Sequence, residues 1–186
     1  MHPRLSELLS HLDSERDALE RTVAEVPPDQ RDRRPAPDTW SVAEVLDHLA
    51  RVESGVARLV AKLTARAREA GLEPETATTS VLGALDGRGI AEPTAKRDAP
   101  EIVRPRPDVT AVDAERELRG TRAALREALA AADGLALGEI RAAHAALGEL
   151  DLYQWVLFVA QHERRHATQL RSIASLLAGG REAAAS

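Results

Sequence analysis

Apolar residues recur at intervals of three and four over four long stretches, which is the spacing of one face of a helix. The stretches cover residues 4–26, 41–69, 110–132 and 150–178. Proline or glycine follows each of them, at Pro27-Pro28, Gly71, Gly134 and Gly179-Gly180, and these residues end helices. No segment alternates convincingly with the period of two that is typical of strands. The pattern therefore predicts an all-α protein, a four-helix bundle.

The second stretch begins with a strong start signal. Ser41 and Glu44 stand three residues apart, as in a capping box, and Trp40 can pack against Val45 as a hydrophobic staple. We therefore expect this helix to begin at residue 41 or 42.

Residues 71–109 form a long crossover between the second and third helices, and they contain half of the chain's ten prolines. We expect one short helix near 81–85 and extended backbone over 100–107, because residues before proline avoid the helical region. Loops of this length often cover binding surfaces. A shorter loop should connect the third helix to the fourth. The prediction is one domain over residues 1–178, followed by a flexible tail over 179–186.

Composition narrows the classes of partner and of chemistry. The chain has 186 residues and a net charge of -5, which gives no reason to expect nucleic acid as a partner. It has no apolar run long enough to cross a membrane and no signal-peptide pattern at its start, so we expect no membrane partner and a cytoplasmic location. With no cysteine, a metal ion could be held only by His, Asp or Glu.

The candidate chemistry lies in an H-E-x-x-H string near the C-terminus. Its two histidines, His162 and His166, stand one helical turn apart and on the apolar face of the last helix. His48 lies at the edge of the apolar face of the second helix. These three histidines could bind one metal ion and leave a coordination position open, as in catalytic zinc sites.

The same string is the signature of zinc proteases, but the remaining features of that class are missing. No histidine follows His166, position 169 is Gln169, and we predict no strand to hold a peptide. Glu163 falls to the side of the histidine pair, as easily solvated as catalytic, so we assign no catalytic side chain. Gln169 could hydrogen-bond a ligating histidine.

The other histidines are weaker candidates. His11 lies off the apolar stripe of the first helix and is expected to be solvated. His144 lies in a predicted loop, where a structural role is more common than ligation.

Two blocks of sequence resemble the DinB-like superfamily. Residues Trp40–Leu49 are similar to its W-S-x-x-E-x-x-x-H-L block, and Gly148–Trp155 with His162–Gln169 are similar to its last-helix block. The resemblance implies a four-helix bundle with a divalent-metal site formed by three histidines, here His48, His162 and His166. It also implies a homodimer. Characterised members of the superfamily include thiol-dependent S-transferases and a mycothiol-dependent maleylpyruvate isomerase, whereas others have been described as metal-dependent hydrolases.

Our leading hypothesis is a metal-dependent enzyme that transfers a low-molecular-weight thiol to a small electrophilic substrate. Zinc or nickel is the expected ion, although imidazole also suits copper and iron. The crossover arginines Arg88, Arg97, Arg104 and Arg106 could contact an anionic thiol, or could simply be solvated. Two alternatives remain open, a metal-dependent hydrolase and a non-enzymatic, stress-related metal-binding protein.

Overall fold

The computed structural model describes residues 1–92 and 99–184, with side chains as far as Gly179. Its four long helices are α1 (Pro3–Ala24), α2 (Val42–Glu69), α3 (Ala111–Ala131) and α4 (Leu152–Ala184). The chain is predominantly helical, as the apolar spacing predicted. None of the described helices is both long and apolar enough to cross a membrane.

The predicted start of α2 is confirmed by its hydrogen bonds. Ser41 Oγ accepts from the backbone N–H of Glu44 at 3.1 Å, and Glu44 Oε2 accepts from the backbone N–H of Ser41 at 2.8 Å. Two donors that the first turn leaves unpaired are thus satisfied. Thr110 caps α3 in a similar way, accepting from the N–H of Asp113 at 3.2 Å.

The prediction that α4 ends at Gly179-Gly180 is wrong, because the helix continues to Ala184. A glycine inside a helix costs about 1 kcal/mol relative to alanine, which does not by itself stop a helix. The surrounding alanine, glutamate and arginine residues all favour the helical state. The last two residues of the predicted tail lie outside the described part of the chain.

The connection between α3 and α4 contains a β-hairpin, which the prediction of a simple loop missed. Strand β1 (Arg141–His144) pairs antiparallel with β2 (Gly148–Asp151), with Arg141 opposite Asp151 and His144 opposite Gly148. Gly148 has a φ of 76°, a conformation that favours glycine. The strands lack β-branched residues, so their sequence carries no strand signal.

The crossover follows α2 with a short 3₁₀ turn at Leu82–Leu85, which confirms the predicted short helix. The extended conformation predicted for 100–107 is wrong at Glu101–Val103, which form another 3₁₀ turn. Arg104, directly before Pro105, is extended with a ψ of 144°, as its neighbour requires.

Two apolar clusters make up the core, one toward each end of the helices. One cluster includes Leu8, Val60, Leu129 and Leu157, and the other includes Leu19, Leu46, Leu118 and Leu170. Each helix therefore contributes to both clusters. Helix α2 packs against α3 and α4, and α1 packs against α4.

A layer of four charged side chains separates the two clusters. Arg16, Glu53, Arg122 and Glu163, one from each helix, are all at most 7% exposed, and we call them the buried quartet. Arg16 Nη2 lies 2.8 Å from Glu53 Oε2 and 2.5 Å from Glu163 Oε1. Arg122 contacts the same two carboxylates at 2.5 and 2.9 Å. Glu163 is therefore not solvated, and the expectation that it might be is wrong.

The quartet is balanced in charge when both glutamates are ionised, and its arginines have further acceptors. Arg16 donates to the carbonyl of Leu118 at 3.1 Å, and Arg122 donates to the carbonyl of Leu12 at 2.8 Å. Burial raises the pKa of Glu163, an effect that the coulombic attraction of Arg122 and Arg16 opposes. A buried group of this kind tolerates loss of a member poorly, because the remaining charges stay out of water.

We predict that Glu53→Ala lowers the free energy of unfolding by about 3–5 kcal/mol, because two arginines lose a buried partner. Asp13→Ala is the matched control, since its pair with Arg126 is half exposed on both sides, and it should cost about 0–1 kcal/mol. Urea unfolding measures both. Equal, small effects would contradict a role for the quartet in the core.

Candidate metal centre

The structure brings together the three histidines that the sequence singled out. His48 projects from α2, and His162 and His166 project from successive turns of α4. One ligand atom of each lies within 4.8 Å of the others. The Nε2 atom of His162 is 3.4 Å from His48 Nε2 and 3.0 Å from His166 Nε2. We call these three residues the histidine triad.

Hydrogen bonds at the outer nitrogens of His48 and His166 determine which nitrogen of each ring is left free. His48 Nδ1 lies 2.7 Å from the carbonyl oxygen of Val103, and His166 Nδ1 lies 2.7 Å from Gln169 Oε1. Both partners are oxygens that can only accept, so each Nδ1 carries the hydrogen and each Nε2 presents a lone pair. The predicted contact of Gln169 with a histidine of the triad is confirmed.

These tautomers make the centre of the triad suited to a cation. His162 Nε2 faces two bare Nε2 atoms and could donate a hydrogen to only one of them at a time. In a neutral triad at least one of the two close nitrogen pairs therefore lacks a hydrogen bond, and lone pairs face each other at both pairs when His162 carries its hydrogen on Nδ1. A divalent ion that accepts a lone pair from each of the three nitrogens would satisfy all of them, and three imidazoles are a common donor set for such ions.

Electrostatics keep the triad in the neutral form that binds metal. Burial lowers the pKa of all three histidines, well below the usual value for His162 and to about 3 for His166. Neighbouring histidines lower the pKa of His162 and His166 further. For His48 the Val103 carbonyl opposes the effect of burial, and Arg51 adds to it.

Aromatic rings hold the triad from two sides. Phe158 stacks on His162 with ring centroids 5.2 Å apart, and Trp40 lies 5.1 Å from His48. The β-hairpin extends this packing, because its His144 lies between Trp155 and Phe158 at 5.0 and 4.7 Å. The triad therefore has aromatic neighbours both just before α2 and on α4.

His144 has the structural role that the sequence suggested. Its Nδ1 accepts from the backbone N–H groups of Ala146 and Leu147, at 3.1 and 3.2 Å. It thus closes the turn of the hairpin. Trp155 Nε1 donates to the carbonyl of Ala142 at 3.2 Å and fastens the first strand to α4. His11 is half-buried on α1 rather than solvated, and it takes no part in the triad.

The three histidines differ in burial. His48 and His166 are buried, whereas His162 is half-buried. His162 is therefore the member of the triad that solvent reaches most. Three protein ligands that leave a fourth coordination position free are typical of catalytic rather than structural zinc sites.

Sequence reasoning missed the charged neighbours of His48. Asp47 is fully buried, and Arg51 donates through Nη2 to the carbonyl of Ile102 at 2.9 Å. The position of Arg51, three residues after His48 and on the same face, was a usable signal. The partner of Asp47 lies 59 residues away, and no local pattern marks it.

The crossover arginines that we considered as anion contacts have protein acceptors instead. Arg88 donates to the carbonyl of Leu147 at 3.0 Å, and Arg104 pairs with Glu101 at 2.8 Å. Arg106 pairs with Asp47 and Glu117. Arg97 lies outside the described residues.

Comparison with known proteins places the chain in a family. The sequence model of the DinB superfamily matches residues 11–170, a span that includes the whole histidine triad. The chain belongs to the DinB superfamily. It is also 28% identical over 142 residues to the uncharacterized protein YuaE of Bacillus subtilis, covering 76% of this chain and 81% of YuaE. No solved structure matches the chain.

The triad of this DinB protein predicts a specific dependence of stability on pH. Unfolded histidines take up protons below a pH of about 6.5, whereas the buried triad does not, so the unfolded state binds more protons. The free energy of unfolding should therefore fall as the pH drops from about 6.5, by about 1.4 kcal/mol per unit for each histidine that stays neutral.

Urea unfolding of the metal-free protein between about pH 7 and pH 5 measures this slope. His166→Gln removes one buried neutral histidine and should reduce the slope of the free energy of unfolding against pH. His11→Gln, outside the triad, should reduce this slope less. An identical slope in the wild type and in His166→Gln would show that the triad does not stay neutral in the fold.

Proposed function

We propose that this DinB protein is a metal-dependent enzyme that transfers a low-molecular-weight thiol to a small electrophile. The observation that carries the proposal is the convergence of three Nε2 atoms, one of which belongs to the half-buried His162. Such a site holds a cation and still admits a second molecule. We also propose zinc or nickel as the ion, and the three imidazole donors are compatible with either.

Each residue of the triad and its neighbours has a defined part in this function. His48, His162 and His166 would hold the ion, and Val103 and Gln169 fix the orientation of two of the rings. A divalent ion held there would lower the pKa of an entering thiol, so that the nucleophilic thiolate forms at neutral pH. The chain itself contains no cysteine, so the sulfur must come from a cosubstrate.

The transfer itself would form a bond between the thiolate sulfur and the electrophilic carbon, while the bond from that carbon to its leaving group breaks and the leaving group takes the electron pair. The proton of the thiol would pass to solvent. Phe158 and Trp155, which line the hairpin side of His162, supply an apolar surface for the non-reacting part of either molecule.

Arg51, beside His48, is the cation that we assign to an anionic group on the thiol. Arg51 Nη2 donates to the carbonyl of Ile102, but its Nε is buried without a hydrogen-bond partner in the described part of the chain. We therefore prefer Arg51 to Arg88, Arg104 and Arg106, which pair within the protein.

The carboxylates near the triad are all engaged, so none is free to assist water as a general base in the hydrolase alternative. Glu163 accepts from Arg16 and Arg122 inside the quartet. Asp47 is held by Arg106, and Glu44 caps α2. A thiol has an ordinary pKa of about 8.5 and water one of about 15.7, so a cation needs a much smaller shift to form thiolate than to form hydroxide at neutral pH.

Three further properties belong to the same proposal. We interpret the four helices as the four-helix bundle implied by the family resemblance. We propose a homodimer, which a sedimentation experiment tests, and a cytoplasmic location. The net charge of -5 supports the absence of nucleic acid among the partners.

The test is a thiol-dependent rate in the zinc- or nickel-loaded protein with model electrophiles. We expect a rate that saturates with thiol and that falls by at least about 100-fold in His162→Ala, because loss of one ligand removes the ion. His11→Ala is the matched control, since His11 lies outside the triad, and it should keep the wild-type rate.

Two results would count against the proposal. Hydrolysis of model esters or amides without added thiol, lost in the same variant, would favour the hydrolase. Metal binding that raises the melting temperature, with no rate for any thiol or ester, would favour a non-enzymatic metal-binding protein.

A further inference from the structure

Residues 102–106 of the crossover lie across α2 next to the triad, and we call them the strap. Three contacts join the strap to three nearby residues of α2. The carbonyl of Ile102 accepts from Arg51, the carbonyl of Val103 accepts from His48, and Arg106 binds Asp47. The hydrogen bond that orients His48 therefore comes from a loop and not from a helix.

The strap has little apolar packing to hold it in place. Its 3₁₀ turn, Glu101–Val103, contains no buried residue, and Ile102 is 79% exposed. Its position must therefore depend mainly on polar contacts. Of these, the contact of Arg106 with Asp47 is the one that involves a fully buried charge.

Arg106 binds Asp47 through its main chain and its side chain together. Its backbone N–H donates to Asp47 Oδ2 at 2.8 Å, and its Nε donates to Oδ1 at 2.9 Å. Its Nη2 contacts Glu117 of α3 at 2.5 Å. A charge-assisted contact of this geometry is both strong and directional. It anchors the strap at Arg106, which is three residues along the chain from Val103.

We propose that Arg106 is a positioning residue of the metal centre. By holding the strap on Asp47, Arg106 keeps the Val103 carbonyl within hydrogen-bond distance of His48 Nδ1. Because a carbonyl only accepts, His48 then carries its hydrogen on Nδ1. His48 Nε2 then keeps its lone pair toward the other two histidines. Contacts of this kind, one step away from a metal ion, typically change metal affinity by about 10–100-fold when they are lost.

The first readout needs no metal, and so it does not depend on the proposed function. Nitrogen NMR of the metal-free protein distinguishes the two tautomers of each histidine. In Arg106→Ala we expect His48 to shift from the Nδ1–H form to a mixture of both forms. His166 is an internal control, because its tautomer is held by Gln169 on α4 and should not change.

The second readout is zinc affinity, which does rest on the proposed metal centre. Arg106→Ala should weaken zinc binding by about 10–100-fold, and Arg106→Lys, which keeps a charged donor, should recover part of the loss. Arg104→Ala is the matched control. Arg104 lies in the same strap, but it pairs with the exposed Glu101, so both zinc affinity and the His48 tautomer should stay as in the wild type.

Arg106→Ala leaves the buried Asp47 carboxylate with only the backbone N–H of residue 106 as a partner, and the loss of its counter-charge could unfold the protein. The double variant Asp47→Asn with Arg106→Gln removes the charge pair without leaving a buried charge. If the single variant does not fold, the His48 tautomer and the zinc affinity are measured in this double variant instead. A folded variant that keeps both the wild-type His48 tautomer and the wild-type zinc affinity would overturn the proposal. Failure of the wild type to bind zinc would contradict only the proposed metal centre. The His48 tautomer in the metal-free protein would still test whether Arg106 positions the Val103 carbonyl.

Discussion

The buried quartet is the interaction on which the geometry of the histidine triad depends. The triad takes one histidine from α2 and two from α4, so the rotation and height of these helices relative to each other must be fixed. Apolar side chains alone tolerate small slides, whereas charge-assisted hydrogen bonds have a preferred direction. Glu163 on α4 and Glu53 on α2 share the same two arginines. Because Glu163 directly follows His162, this link sets the position of the triad.

The glutamate of the H-E-x-x-H string therefore belongs to the core and not to the chemistry. Glu163 follows His162 by about 100° around the helix, as does the glutamate that acts as general base in a zinc protease. The difference lies in the partners of Glu163, which place its carboxylate between the apolar clusters. Here its Oε1 accepts from two arginines, so the string serves two separate functions on one helix.

The features that the sequence predicted are those encoded locally. Helix spacing, the Ser41–Glu44 capping box and the one-turn separation of His162 and His166 all follow from residues close together in the chain. The inward position of His48 followed from its place at the edge of an apolar face. Family resemblance then supported the same three residues.

What could not be predicted depends on partners far apart in sequence. The quartet joins residues separated by up to 147 positions, and the pairing of Asp47 with Arg106 spans 59 positions. The hairpin has strands of only four residues without β-branched side chains, and it is fastened by the rings of Trp155 and Phe158 on another element. Such contacts exist only once the helices have packed.

The central claim is that His48, His162 and His166 together bind one divalent ion. Calorimetric titration of the metal-free protein with zinc tests it most directly, in the wild type, in His48→Gln and in the control His11→Gln. The account predicts one ion per chain in the wild type and in His11→Gln, with binding weakened by at least about 100-fold in His48→Gln. Equal zinc affinity in His48→Gln and the wild type, or no binding by the wild type, would contradict it.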